Sequence, residues 1–133
     1  MVQIGNVSPV LLAPDVFETA EYYRDVFGFT FDQIYGEPPS FVIVQRDTAR
    51  LMFRQPREGS PQPPNATVTP HFPSDVFISV DDVEALADEL RSKQADIVAG
   101  PTYRPIWNGK ELEVRDCNGR TITFGQSMGE TSD

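Results

Sequence analysis

The sequence is short of the side chains that carry most enzyme chemistry: in 133 residues it has one cysteine, one histidine and one tryptophan. A single cysteine excludes an intramolecular disulfide and fits a reducing, cytoplasmic setting. Nothing around Cys117 lowers a thiol pKa, so it reads as an ordinary turn residue. Basic residues are also scarce, 11 Lys and Arg against 20 Asp and Glu for a net charge of −9. With no dense Lys/Arg cluster to follow a phosphate backbone, nucleic acid is excluded as a partner, and the negative field favours encounter with cations. No apolar run approaches the roughly 18 residues of a membrane span. The opening "MVQIGNVSPVLLAPD" has neither the basic flank nor the small-residue cleavage site of a secretory signal, and reads as a first strand. There is no glycine-rich phosphate loop, and no nucleophile with an adjacent base.

What remains is an ordinary globular composition, 39% hydrophobic and 23% charged, of single-domain length. An internal repeat organises it. "LLAPDVFETAEYYRDVFGF" and "ISVDDVEALADELRSKQAD" each pass from an apolar strand through Asp-Val into a helical pattern. Asp15 stands three residues before Glu18, and Asp81 three before Glu84, the spacing of a capping box. Val16, Ala20, Tyr23 and Phe27 make one apolar stripe; Val83, Leu86, Ala87 and Leu90 make the other. Gly28 supplies a left-handed stop for the first helix, whereas the second is expected to fray through Lys93 and Gln94. Three strand-like segments follow each helix. The last pairs also repeat, "QRDTARLMF" beside "VRDCNGRTITF", each with an Arg-Asp turn before a strand. The chain therefore reads as an α+β domain with a βαβββ unit written twice. The modules span 4–54 and 74–126, joined by a Pro/Ser/Gly/Asn-rich linker, 55–73, and followed by a tail, 127–133.

Two such modules, with "SPVLLAPDVFETAEYYRDVFGF" at the start and "WNGKELEVRDCNGRTITF" near the end, resemble the vicinal oxygen chelate superfamily of glyoxalases, extradiol dioxygenases, fosfomycin resistance enzymes and bleomycin resistance proteins. Both stretches are most similar to the bleomycin resistance branch. The resemblance implies two curved mixed sheets forming half-cups that close on a ligand, often between two chains. A homodimer is expected, because each sheet has one face under its helix and one that must find cover.

By the same resemblance, the positions that hold a metal in the enzymes fall at Ser8, Phe53, Asp75 and Thr123. A catalytic transition metal needs about three strong ligands from imidazole, carboxylate or thiolate, and only Asp75 qualifies. The lone His71, in the linker, has no metal-ligand spacing. The expectation is no metal and no cofactor, with Phe53 filling the space that an ion would need.

Trp107 stands where the resistance proteins carry a tryptophan that stacks on planar parts of their drug, and Phe41 corresponds to a pocket phenylalanine. With Phe53 they would line an aromatic cavity. Glu111 and Glu113 alternate with Leu112 and Val114, so both carboxylates face the cup if the apolar pair faces the helix. The leading expectation is a metal-independent protein that sequesters a planar, cationic small molecule at a dimer interface through Phe41, Phe53, Trp107, Glu111 and Glu113, as in antibiotic resistance. Two alternatives stay open. One is an enzyme, either a lyase or dioxygenase with displaced ligands, or a metal-free isomerase using Glu111 or Glu113 with a tyrosine (Tyr22, Tyr23, Tyr35 or Tyr103) as proton donor. The other is a module that binds a protein partner.

Overall fold

The computed structural model describes residues 1–56, 63–69 and 73–129. Its elements run β1 (Val10–Leu12), α1 (Val16–Asp25), β2 (Ile34–Tyr35), β3 (Phe41–Arg46), β4 (Ala49–Arg54), α2 (Asn65–Val68), β5 (Ser74–Ser79), α3 (Val83–Ser92), β6 (Asp96–Arg104), β7 (Gly109–Arg115) and β8 (Thr121–Ser127). They form two four-stranded mixed sheets in the orders β1-β4-β3-β2 and β5-β8-β7-β6. In each, the first strand pairs parallel with the last and the other pairs are antiparallel. This is the α+β architecture of two βαβββ units. His71 lies outside the described residues.

Both helices start as their side chains dictate. The Asp15 carboxylate accepts the Glu18 N–H at 3.0 Å, satisfying a donor that the first turn leaves free. At the second helix the cap is Asp82, one residue later than the spacing of Asp81 predicts; it accepts the Ala85 N–H at 3.0 Å. With Asp82 as cap, Val83, Ala87 and Leu90 all fall on the buried face. Gly28 takes φ +75° after α1, and the Phe29 N–H returns to the Tyr23 carbonyl at 3.0 Å. The second helix does not fray. Gln94 adopts φ +60° and the Ala95 N–H bonds to the Leu90 carbonyl at 3.0 Å, so the chain turns off α3 much as it turns off α1.

One continuous core joins the modules. From the first come Val16, Ala20, Tyr23, Val42, Val44, Leu51 and Phe53; from the second Val83, Ala87, Leu90, Leu112, Val114 and Ile122, all essentially inaccessible to solvent. Tyr23 packs edge-on to Phe27 with ring centroids 4.9 Å apart and tilted on Phe53 at 5.0 Å. Phe27 in turn meets Phe124 of the other module at 6.4 Å. Burying rings of this size dominates the driving force for folding.

Register then decides what is left on the two sheet faces away from the helices. In the first sheet Val42 pairs with Phe53 and Val44 with Leu51, so these four share the helix side. Phe41, Ile43, Met52 and Arg54 point to the opposite, open face. In the second, Leu112 pairs with Phe124 and Val114 with Ile122 beneath α3, leaving Glu111, Glu113, Thr123 and Phe77 on the open face. Among the described residues no helix is long and apolar enough to cross a membrane.

Candidate functional site

The open face of the second sheet gathers an aromatic corner and a charged cluster. Trp107, in the turn between β6 and β7, folds its indole back over Gly109: a β-carbon built there would lie 2.1 Å from the ring. Phe77 of β5 lies across Gly125 in the same way, with 2.2 Å to an added β-carbon. Two glycines thus let two rings rest directly on the backbone of the sheet. The rings meet edge to face, centroids 5.8 Å apart and planes at 75°, an arrangement worth about 0.5–1.5 kcal/mol beyond area burial. Phe77 remains half exposed at 51%.

Polar groups fix this corner. The indole Nε1 donates to Glu111 Oε2 at 2.9 Å. Arg104 reaches Glu111 Oε1 with its Nε at 3.4 Å and sits 3.8 Å from Glu113 Oε2 with Nη2. Two carboxylates therefore share one guanidinium, and the cluster keeps a net negative charge. Glu111 is committed to the indole, while Glu113 has the looser partner. Nearby, the Tyr103 hydroxyl donates to Asn108 Oδ1 at 2.8 Å, pinning the turn that carries Trp107.

On the first sheet's open face, Phe41 pairs with Tyr35 at 5.9 Å and carries the Arg54 guanidinium over its ring at 5.5 Å. Phe41 and Trp107 thus each have an aromatic neighbour on their own sheet. Phe53 is elsewhere. It is fully buried against Tyr23 on the helix side, so the expectation that it lines the cavity is corrected. Strand parity is the reason: Val42 opposite Phe53 belongs to the core, and neighbours in a strand point to opposite faces. Phe77 was missed by reading the sequence. The signal available was a phenylalanine alternating with the core residues Val76 and Ile78.

The positions at which the resemblance places metal ligands do not fit a metal. Ser8 precedes β1, and Phe53 faces the core. Thr123 donates its hydroxyl to Ser74 Oγ at 2.8 Å. Asp75 is fully engaged: Oδ1 accepts the Asn65 N–H at 2.9 Å, Oδ2 accepts the Thr121 N–H at 3.0 Å, and Arg120 Nη1 lies 3.6 Å away. Among the described residues no group of three or more His, Cys, Asp or Glu is placed to hold an ion.

A second polar cluster joins the modules on the helix side. The Tyr23 hydroxyl donates to Asp116 Oδ2 at 2.7 Å, and Asp116 Oδ1 also accepts the Asn118 and Arg120 N–H groups at 2.8 and 2.9 Å. Burial, reinforced by the adjacent carboxylate, pushes Tyr23 well above the usual tyrosine range. Burial also raises Asp116, against the opposing pull of its hydrogen bonds. Cys117 is exposed as a residue, but partial enclosure of its sulfur against Thr19 and the neighbouring Asp116 carboxylate push the thiol up to about 11, which makes it a poor nucleophile.

The profile of the Glyoxalase/Bleomycin resistance protein/Dioxygenase superfamily matches residues 4–124. Among solved structures, TnmS3, an antibiotic binding protein from Streptomyces sp. CB03234, superimposes with a TM-score of 0.72 at 18% identity, covering 96% of this chain and 99% of that one. TioX from Micromonospora sp. ML1 gives 0.67 at 18% identity, covering 96% and 100%. A glyoxalase/bleomycin resistance protein/dioxygenase from Alicyclobacillus acidocaldarius gives 0.72 at 12%, covering 92% and 91%. No curated protein sequence matches the chain. These likenesses in structure carry the fold, and the profile match over nearly the whole chain carries the family: the protein belongs to the glyoxalase/bleomycin resistance protein/dioxygenase superfamily.

Proposed function

We propose that the protein is a metal-independent small-molecule binding protein of the bleomycin resistance kind, which sequesters a planar, cationic compound against the aromatic corner of Trp107 and Phe77. The observation that carries this reading is the seating of both rings on Gly109 and Gly125 with the indole edge tied to Glu111. A ring held by one edge and backed by the sheet keeps its other face for stacking, and costs little entropy on binding because it is already ordered. The net charge of Glu111, Glu113 and Arg104 favours a cation, and a cation above an indole gains about 0.5–2 kcal/mol. The mechanism is stoichiometric: enclosure hides the ligand's reactive groups and no bond changes.

Enclosure requires cover for the open faces, where Val10, Phe77 and Tyr35 are 54%, 51% and 44% exposed. A homodimer that brings the Phe41 face of one copy over the Trp107 face of another would supply it, and would put Phe41 in the same cavity as Trp107, Glu111 and Glu113. Antibiotic resistance in a cytoplasmic setting is the corresponding role; the likeness to an antibiotic binding protein supports it. Trp107 is the one tryptophan, so its fluorescence reports the site directly. Titration with a planar cationic dye such as proflavine, alongside sedimentation, tests the reading. Saturable quenching at one dye per cavity in a dimer is expected; absence of quenching, or equal quenching by a planar anion, refutes it.

A further inference from the structure

The seam between the modules is closed at one end and open at the other, although the repeat makes the two ends equivalent. Counted from the caps Asp15 and Asp82, Thr19 and Tyr23 of α1 correspond to Leu86 and Leu90 of α3. Arg115-Asp116 after β7 corresponds to Arg46-Asp47 at the end of β3. At the closed end the turn between β7 and β8 has five residues, 116–120, and fills its space. Tyr23 bonds to Asp116, Asn118 Nδ2 donates to Thr19 Oγ1 at 3.1 Å, and Arg120 Nη2 reaches the Leu12 carbonyl at 3.2 Å. At the other end the turn is only Asp47-Thr48, and the helix offers leucines where the closed end has hydroxyls. A groove of about 480 Å³ is left between that turn and α3, within the roughly 300–1,000 Å³ of small-molecule sites.

The chemistry of the groove is one-sided. Ile78, Val80 and Leu86 supply partly exposed apolar surface over a floor of nearly buried Phe27, Phe29 and Phe124, and Asp47 and Asp81 stand at its rim. Arg46, also on the wall, is already spent: its Nη1 and Nη2 meet the two Glu89 oxygens at 2.7 and 2.9 Å, and Nη1 also donates to the Phe27 carbonyl. The start of α3 offers an anion little, since the Val83 N–H is taken by Gln126 Oε1 at 2.8 Å and the Ala85 N–H by Asp82. Asp47 and Asp81 have no ion-pair partner among the described residues. The space left by the shorter turn and the two unmatched carboxylates together define the complement.

We infer that this groove is a second small-molecule site, separate from the Trp107 face, that takes a compact organic ammonium: a ring-sized apolar body fills the space that the longer turn 116–120 fills at the closed end, and the ammonium meets Asp47 or Asp81.

The probe is phenethylammonium, compared with neutral 2-phenylethanol and anionic 3-phenylpropionate by saturation-transfer NMR on the full chain. The amine is expected to bind about five- to tenfold more tightly than the alcohol, as one screened charge contact provides, and the anion not at all. Ala85→Phe, on the exposed side of α3 where it lines the groove, fills the space and should abolish binding. Asp47→Asn keeps the left-handed turn, which Asn tolerates, and combined with Asp81→Asn should weaken binding about five- to tenfold, as loss of the charge contact provides, whereas unchanged binding in the double variant would overturn the inference. Trp107→Ala should leave it unchanged. The inference is overturned by no binding at millimolar amine, by equal binding of the alcohol, or by retention in Ala85→Phe. Loss in Trp107→Ala alone would place the amine on the aromatic corner, and dissociation of a dimer by Ala85→Phe would show a second copy in the groove; either result also overturns it. Because Trp107→Ala and Ala85→Phe act on different sites, failure here is distinguishable from failure of the proposed sequestering function.

Discussion

The Tyr23 hydroxyl bonds to the Asp116 carboxylate across 93 residues of sequence, tying the first helix to the last turn. Both groups are buried, so the bond replaces water that neither can reach. Removing the hydroxyl leaves Asp116, among the described residues, with the Asn118 and Arg120 N–H groups, both on Oδ1. Tyr23→Phe should therefore lower stability by about 1–3 kcal/mol, the cost of an under-satisfied buried acceptor. Urea unfolding followed by far-ultraviolet circular dichroism measures it, and a loss below about 0.5 kcal/mol would contradict the role assigned to the bond.

The same pair sets a pH dependence. Tyr23 is raised in the folded state, so the folded chain holds this proton more tightly than the unfolded one. Stability is then full below about pH 10, the ordinary tyrosine value, and falls as pH rises toward the folded value. Asp116, also raised, gives a smaller fall that begins near pH 4. In the acid range Glu89 and Asp25, held low by Arg46 and Arg24, oppose the Asp116 contribution; urea midpoints should therefore decline in the alkaline range, and Tyr23→Phe should reduce that slope.

At the aromatic corner, Trp107→Ala should weaken binding of a planar cation by about tenfold or more, as loss of a hot-spot aromatic does. Glu111→Gln keeps an acceptor for the indole N–H but removes a charge. It should leave Trp107 emission nearly unchanged while weakening the cation more than a neutral planar analogue. Equal loss for both ligands would assign Glu111 to packing alone.

Gly125→Ala places a methyl group where the Phe77 ring now rests. The clash is with the far end of a half-exposed side chain, so the ring lifts and stability changes by less than about 1 kcal/mol. Binding should suffer more than folding. A crystal structure of the variant with Phe77 unmoved would contradict the seating described.

Cys117, pushed up to about 11, should react slowly with iodoacetamide at neutral pH. Its rate should keep rising beyond pH 9 instead of levelling near the usual thiol value, because only the thiolate attacks.

Much of this architecture was legible in the residues. The Asp-Val openings, the helical spacing of Val16, Ala20 and Tyr23, and the repeated Arg-Asp turns are local signals, set by capping and by one buried face per helix. The alternation Glu111-Leu112-Glu113-Val114 put both carboxylates away from α3, because Leu112 and Val114 are apolar enough to choose the core. Phe41 lies on an open face, but its link to Trp107 across two sheets belongs to the proposed dimer.

Phe53 shows where local reading stops. Its strand, ARLMFR, alternates Leu51 and Phe53 with Arg50, Met52 and Arg54, so hydrophobicity alone already favoured the core; the resemblance pointed the other way, and cross-strand register with Val42 decided. Phe77 carried no motif, and its seat on the sheet exists because Gly125 on β8 has no side chain to displace the ring. The groove beside Asp47 depends on the difference between a two-residue and a five-residue turn, seen in relation to a helix some forty residues away. By itself the sequence determined the elements and their repeat, since capping and periodicity act within a few residues; the tertiary structure decided which faces, rings and hollows meet, since register and packing are relations between distant segments.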